Sequence, residues 1–157
     1  MSFSVGDKVI HCNFGLGEIT KVEERMINEQ SQNCYVFTMD TMTIWVPVEN
    51  LGKNSLRLPT SPEEFEATLK VLTSQQEALP SDRLLRKKHL LDLVRSGQLS
   101  SMCEVVRDLT HYKKNFKLND EEKSILERAI RSLLMEWTLS LGTPPHQANQ
   151  SLELMLQ

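Results

Sequence analysis

The sequence lacks features that several classes of protein require. No apolar run approaches the roughly 20 residues that span a bilayer, and no basic segment followed by an apolar stretch marks a leader at the N-terminus. Its cysteines, Cys12, Cys34 and Cys103, are few, odd in number and far apart, so we expect no disulfide framework. It also lacks an excess of positive charge, since the formal net charge is −3. We therefore expect a soluble cytoplasmic protein for which nucleic acid is not the sole partner.

The sequence also shows no catalytic constellation. Neither a nucleophile elbow nor a phosphate-cradling glycine loop is present. The acidic pairs Glu63-Glu64 and Glu121-Glu122 are better explained as the first turns of helices than as catalytic carboxylates. Metal-ligand spacing is absent from the histidines and cysteines, which include His11, Cys12, Cys34, His89, Cys103 and His111. We expect no enzyme activity, no metal and no cofactor.

The first part of the chain has the pattern of short strands. Runs rich in β-formers predict strands over residues 8–12, 18–24, 34–39 and 42–46, with a short fifth near residues 56–58. We expect Gly15 and Gly17 to form a tight turn, residues 25–32 to be a polar hairpin loop, and Pro47 to stop the fourth strand. Short antiparallel strands that end at glycine and proline residues predict a small barrel.

The remainder has helical periodicity. Ser61, Pro62 and Glu64 have the spacing of a helix N-terminus, and Leu79-Pro80 should break this first helix. Further starts are predicted at Ser81 or Asp82, near Leu99 and at Asn119, followed by a short amphipathic tail helix. The fold class predicted is α+β, with a β-domain over residues 1–59 and a compact all-α domain over residues 60–157.

Several short motifs, in order through both halves, resemble one family. The first half has Phe3-x-Val5-Gly6-Asp7-x-Val9, Gly15-x-Gly17-x-Ile19 and Val46-Pro47-Val48-x-Asn50; the second has Glu104-Val105-Val106-Arg107-Asp108-Leu109 and Leu118-x-x-x-Glu122-Lys123. Together they resemble the CarD/CdnL transcription regulators over about residues 3–141. The first half is also similar to the polymerase-interacting domain of transcription–repair coupling factors, which lack the helical half.

The resemblance implies a Tudor-like barrel that pairs with a lobe of the RNA polymerase β subunit through an exposed edge strand. The implied contacts lie at Arg25, Trp45, Val46 and Pro47. Trp45 stands where some relatives carry a basic residue, and Trp is a good interface anchor. The alternative is that Trp45 packs inside the barrel and Arg25 is solvated.

The resemblance further implies that the helical domain touches promoter DNA at the upstream edge of the transcription bubble and shifts open-complex stability. Residues 83–117 carry nine basic and three acidic residues, a local charge of +6. Phosphate and minor-groove contacts are expected in this domain. A solvated helix face is the alternative. The predicted DNA-binding residues are Arg83, Arg86, Lys87, Lys88 and Lys123.

One departure from the family pattern concerns the minor groove. Family members commonly carry a Trp wedge near the start of the second helix, where this chain has Arg83. Arginine can enter a narrow minor groove, but it unstacks a base step less well than an aromatic ring. Trp137 lies on the apolar stripe of a long helix, so we expect it in the core and not as a substitute.

Two functions from different classes remain open. The first is a nucleoid-associated regulator that binds polymerase and promoter DNA. The second is a protein-interaction module that binds polymerase or another partner without significant DNA contact. In either case we expect no membrane partner and a monomer, with edge-strand pairing between copies as a route to a dimer.

Overall fold

The computed structural model describes residues 2–49 and 55–157. The chain divides into two compact units, Met1–Pro59 and Thr60–Gln157. The first contains the strands β1 (Lys8–His11), β2 (Gly15–Ile27), β3 (Gln30–Met39), β4 (Met42–Pro47) and β5 (Leu56–Arg57). The second contains the helices α1 (Pro62–Thr73), α2 (Arg83–Arg95), α3 (Leu99–Tyr112), α4 (Asp120–Leu141) and α5 (Pro145–Met155). The predicted α+β class is confirmed.

The strands form one antiparallel sheet in the order β4-β3-β2-β1-β5. The prediction of a loop over residues 25–32 is wrong, because pairing continues from Arg25↔Gln32 to Ile27↔Gln30. Asn28 and Glu29 both have positive φ, which closes the hairpin with only two residues. β2 also begins earlier than predicted, at Gly15. Asn50, the last residue of the third family motif, lies outside the described residues.

The residues of the N-terminal family motif form hydrogen bonds with the sheet. Phe3 is buried, its backbone N–H donates to Tyr35 Oη at 3.0 Å, and the two rings meet edge to face at 5.6 Å. Gly6, with φ 97°, donates its N–H to the Ile19 carbonyl at 2.7 Å. The Ile19 N–H in turn donates to the Asp7 carbonyl at 2.9 Å. These hydrogen bonds attach the segment before β1 to Ile19 on β2 and to Tyr35 on β3.

Gly17 allows a close approach between β2 and β3. A Cβ at this position would lie 2.4 Å from Phe37 Cζ and 2.8 Å from the Thr38 carbonyl oxygen. Phe37 is fully buried, so its ring has little room to move. This close approach explains why the second position of the Gly15-x-Gly17 motif is a glycine: a side chain there would overlap β3.

We expect Gly17→Ala to destabilise the sheet unit by about 3 kcal/mol, the upper end of typical overpacking costs. Urea unfolding followed by circular dichroism measures the change. Gly6→Ala is the matched control in the same unit: it introduces backbone strain of about 1 kcal/mol but no overlap, since nothing lies within 4 Å of the added Cβ. Equal costs for the two variants would contradict the steric explanation.

The helices begin where their capping residues predict. The Glu64 N–H donates to Ser61 Oγ, and Asp82 Oδ1 accepts from the N–H groups of Leu84 and Leu85. Asn119 forms a reciprocal capping box with Glu122. One end was predicted wrongly: α1 stops at Thr73, before Leu79-Pro80. Among the described helices, none is long and apolar enough to cross a membrane.

All five helices contribute to one apolar core. Trp137 is 4% exposed and lies 5.9 Å from the Phe65 ring, as predicted for a core residue. The Glu104–Leu109 motif also has a structural role. The Arg107 guanidinium donates to Ser74 Oγ at 2.8 Å, and buried Asp108 accepts the Glu77 N–H at 3.0 Å. These bonds fix the segment between α1 and α2 against α3.

Candidate interfaces for polymerase and DNA

β4 is an edge strand of the sheet. Among the described residues it pairs with β3 alone. The Val48 N–H donates to the Asn33 carbonyl at 2.8 Å, and hydrogen-bonded pairs alternate along an antiparallel ladder. Val46 and Ile44 therefore direct their backbone groups toward β3, whereas Thr43 and Trp45 direct theirs outward. Pro47, next in the outward set, has no N–H to offer.

Trp45 and Arg25 lie together on the outer face of the sheet. The Trp45 Nε1–H donates to Glu23 Oε1 at 2.5 Å, and the Arg25 guanidinium lies 4.2 Å from the centre of the indole ring. Trp45 is 39% exposed, so it does not pack inside the β-domain. Of the other two predicted residues, Val46 is buried in the core and Pro47 is half-buried at the end of β4. Arg25 and Trp45 thus form a charged aromatic pair beside a strand edge.

Three of the predicted DNA-binding residues lie on α2 and are exposed. We call Arg83, Lys87 and Lys88 the α2 surface. Lys88 Nζ lies 3.0 Å from Asp92 Oδ2, one turn along the same helix, and Lys87 Nζ lies 2.9 Å from Glu121 Oε1 on α4. Both pairs are largely exposed, and such ion pairs stabilise a protein by at most about 1 kcal/mol. A phosphate can therefore displace either carboxylate at little cost.

Two exposed leucines in the first turn of α2 were not expected from the sequence. Leu84 is 75% exposed and Leu85 is 60% exposed. The signal that could have identified them is their position, because neither shares the helical stripe of the buried Leu90 and Val94. They form an exposed apolar surface that follows Arg83 directly in the sequence.

Arg86, in contrast, is 8% exposed and points into the domain. Its Nε donates to Glu122 Oε2 at 2.9 Å, and its Nη1 donates to the carbonyls of Pro80 and Ser81, each at 3.2 Å. The hydrogen bond to Glu122 raises the pKa of Arg86 above its ordinary value. The guanidinium also lies 5.2 Å from the Tyr112 ring. Its Nε and Nη1 donors are thus engaged inside the helical domain.

Lys123 faces away from the α2 surface. Residues two apart on a helix point about 200° apart, so Lys123 lies opposite Glu121, the partner of Lys87. It lines a groove between α4 and the segment that joins α3 to α4. We call this the connector groove; its other lining residues are Lys113, Phe116, Lys117, Leu118, Leu126, Glu127 and Ile130. The predicted DNA-binding residues therefore lie in three places. Arg83, Lys87 and Lys88 form the α2 surface, Lys123 lines the connector groove, and Arg86 belongs to a buried ion pair.

Within residues 2–49 and 55–157, no group of three or more potential metal ligands comes together. Cys34 and Cys103 are buried. Burial raises the pKa of the Cys103 thiol to about 12, which leaves it in the unreactive protonated form. His11 is half-buried, and burial lowers its pKa. These residues form no assembled catalytic site.

Comparisons with known proteins agree with the motif pattern. Residues 3–58 match the family described as the CarD-like/TRCF RID domain, and residues 67–153 match the CarD C-terminal domain. The chain is also 30% identical over 151 residues to a Bacillus subtilis (strain 168) protein named "Putative transcription factor YdeB". That alignment covers 92% of this chain and 96% of the relative. With both domain types matched in order, the chain belongs to the CarD family.

Proposed function

We propose that this protein is a transcription regulator that docks on the RNA polymerase β subunit through its β-domain and contacts promoter DNA through its helical domain. The observation that carries the proposal is the open edge of β4 beside Arg25 and Trp45. By holding polymerase and the upstream edge of the bubble together, the protein changes the stability of the open complex. It needs no cofactor for this, and its family is one of transcription factors rather than enzymes.

The polymerase contact is a strand added to the edge of β4. The outward N–H and C=O groups of Thr43 and Trp45 supply the backbone ladder. Trp45 gives this interface an aromatic anchor, and aromatic residues and arginine carry most of the binding energy in typical interfaces. Arg25, stacked on the indole ring, adds a positive charge for an acidic side chain of the polymerase lobe. Val46 acts through the sheet core, and Pro47 limits how far the added strand extends.

The DNA contact is made by the α2 surface. Lys87 and Lys88 bind phosphates, while Arg83 reaches into the minor groove, where negative potential favours a guanidinium. Leu84 and Leu85 supply the apolar contact with a base step that the family's Trp supplies, because leucine is among the apolar side chains that serve as wedges. Arg86 takes no phosphate; it holds the start of α2 in place through Glu122 and the Pro80 and Ser81 carbonyls.

A second candidate is a polymerase-binding module without significant DNA affinity. Two observations favour it: Lys87 and Lys88 both have carboxylate partners, and the chain is acidic overall. The two candidates differ in one measurable quantity, which is how binding to a forked promoter fragment depends on salt.

We expect the double variant Lys87→Gln/Lys88→Gln to bind a forked promoter duplex more weakly and with a shallower salt dependence. Each lysine that binds a phosphate adds about 0.9 to the slope of log affinity against log salt, so the double variant should have a slope shallower by about 1.8. Fluorescence anisotropy titrations over a salt series measure both quantities.

The matched control is Lys8→Gln/Lys70→Gln, which removes the same charge from two exposed lysines, one on β1 and one on α1. Its slope should stay that of the wild type. If the wild type does not bind the fragment, the module without DNA contact is the better account. If it binds but the Lys87→Gln/Lys88→Gln variant keeps its slope, these two lysines are not the phosphate contacts.

A further inference from the structure

The connector groove is an apolar cleft with a basic rim. Its volume is about 550 Å³. Leu118 and Leu126, 6% and 7% exposed, form its floor, and lysines 113, 117 and 123 stand around it. One acidic residue, Glu127, also lines the cleft. The surface therefore favours a ligand that carries negative charge around a flat or compact apolar group.

Phe116 is the unusual residue of this groove. It is 59% exposed, although a large apolar ring in water contributes little to stability. One of its faces stacks on the Tyr112 ring, with centroids 4.8 Å apart and planes 20° from parallel. Its N–H donates to the Tyr112 carbonyl at 3.0 Å, and the Asn115 N–H donates to the same oxygen at 3.1 Å. The ring is thus stacked on one face by Tyr112 while more than half of its surface remains exposed.

The lysines of the groove differ from those of the α2 surface. Lys87 and Lys88 have carboxylate partners. Within the part of the chain that the structure describes, Lys113, Lys117 and Lys123 form no ion pair. Three unpaired cations around one cleft repel one another, and an anionic ligand relieves that repulsion. A polyanion meets them without first displacing a carboxylate.

We propose that the connector groove binds an unpaired base of single-stranded DNA, which stacks on Phe116 while the neighbouring phosphates contact the lysines of the rim. An open aromatic face beside positive charge is how single strands are bound without sequence preference. The side chains of Leu118 and Leu126 are apolar, and apolar contact with stacking discriminates little between bases. This inference rests on the proposed function, in which promoter opening supplies an unpaired strand close to the duplex that the α2 surface contacts.

An acidic peptide is the other ligand with matching charge. The geometry favours the base because the exposed apolar feature is the flat ring of Phe116, already stacked on Tyr112. A helix laid in a groove needs anchors spaced over several turns, whereas the exposed aromatic anchor of this cleft is the single ring of Phe116. The two ligands are distinguished by whether affinity depends on the ring or on charge alone.

The test uses the full chain and a fluorescent oligothymidylate of about 12 nucleotides, titrated by anisotropy at low salt. Phe116→Ala should weaken binding about tenfold, the typical effect of removing one base–aromatic stack. Phe116→Tyr should restore binding, because it keeps the stacking face. Phe14→Ala, which removes another exposed phenyl ring, in the β-domain, should leave binding within about twofold of wild type.

Duplex binding separates this inference from the proposed function. Phe116→Ala should leave the affinity for a blunt duplex, which has no unpaired bases, unchanged, whereas Lys87→Gln/Lys88→Gln should reduce it. If the α2 variant reduces duplex binding but Phe116→Ala leaves oligothymidylate binding unchanged, the base site is wrong and the proposed function stands. If polyglutamate displaces the oligothymidylate as well as unlabelled oligothymidylate does, and from the wild type and Phe116→Ala alike, the groove is a general acidic-ligand site and the proposal is overturned.

Discussion

Glu122→Ala is expected to destabilise the helical domain by about 3–5 kcal/mol, the range found when one partner of a buried ion pair is removed. The side chains of Arg86 and Glu122 are 10% and 5% exposed, so the guanidinium left behind would be a buried charge without its counter-ion. The substitution also breaks the capping box at Asn119, where the Glu122 carboxylate accepts the Asn119 N–H at 3.3 Å. Urea unfolding followed by far-UV circular dichroism measures the loss of stability.

Two companion variants separate charge from capping. Glu122→Gln keeps an acceptor for the Asn119 N–H but removes the charge, so it should cost less than the alanine variant. Arg86→Met combined with Glu122→Gln removes both charges, and the pair should lose less stability than Glu122→Ala alone, since replacing both partners avoids an unpaired charge. A cost below about 1 kcal/mol for Glu122→Ala, typical of a solvated pair, would show that Arg86 is available at the surface after all.

Thr43→Pro is expected to abolish polymerase binding while the β-domain stays folded. The Thr43 N–H points away from β3, so its removal breaks no bond of the internal ladder. Proline is tolerated on edge strands at such positions. An added strand, however, needs that N–H as a donor, and the ring also blocks its approach. Interferometry of the full chain against immobilised RNA polymerase measures the affinity.

Thr43→Val is the matched control, because it changes the side chain and keeps the N–H; its affinity should stay within about twofold of wild type. Trp45→Ala should weaken binding by at least about 30-fold, as expected for an aromatic hot spot. Unimpaired binding by Thr43→Pro, with its circular dichroism unchanged, would mean that polymerase does not pair with β4.

The helical half could be predicted well because its signals are local. Ser61, Asp82 and Asn119 cap helices within three residues of themselves, and the apolar stripes through Phe65 and Leu109 repeat at helical spacing. Such features depend on the neighbouring chain alone. The order and the starts of the helices follow from them.

The β2–β3 hairpin was predicted, but the extension of its strands to Ile27 and Gln30 was missed for a physical reason. Beyond Val22 and Tyr35 its residues are mostly solvated on both faces, so apolar alternation disappears. Its turn uses Asn28-Glu29, and Glu lacks the preference for positive φ that makes Asn-Gly recognisable. The turn therefore resembles an ordinary polar loop in the sequence.

The candidate sites could be predicted only by residue type. Arginine is usually an exposed residue. The burial of Arg86 depends on its ion pair with Glu122, 36 residues away. No local pattern shows which cation has such a partner. Nor does the sequence indicate that Lys123 joins Lys113 and Lys117 at one groove, because the turn after α3 determines that placement. Leu84 and Leu85 could have been found from their position off the buried stripe.

The central claim is that the open edge of β4 docks on the polymerase β subunit. The most direct measurement is a titration of the full chain against bacterial RNA polymerase, repeated with the purified β lobe as competitor. We expect saturable binding that the lobe displaces and that Thr43→Pro eliminates. Absence of binding by the folded chain, or binding that the lobe does not displace, would contradict the claim.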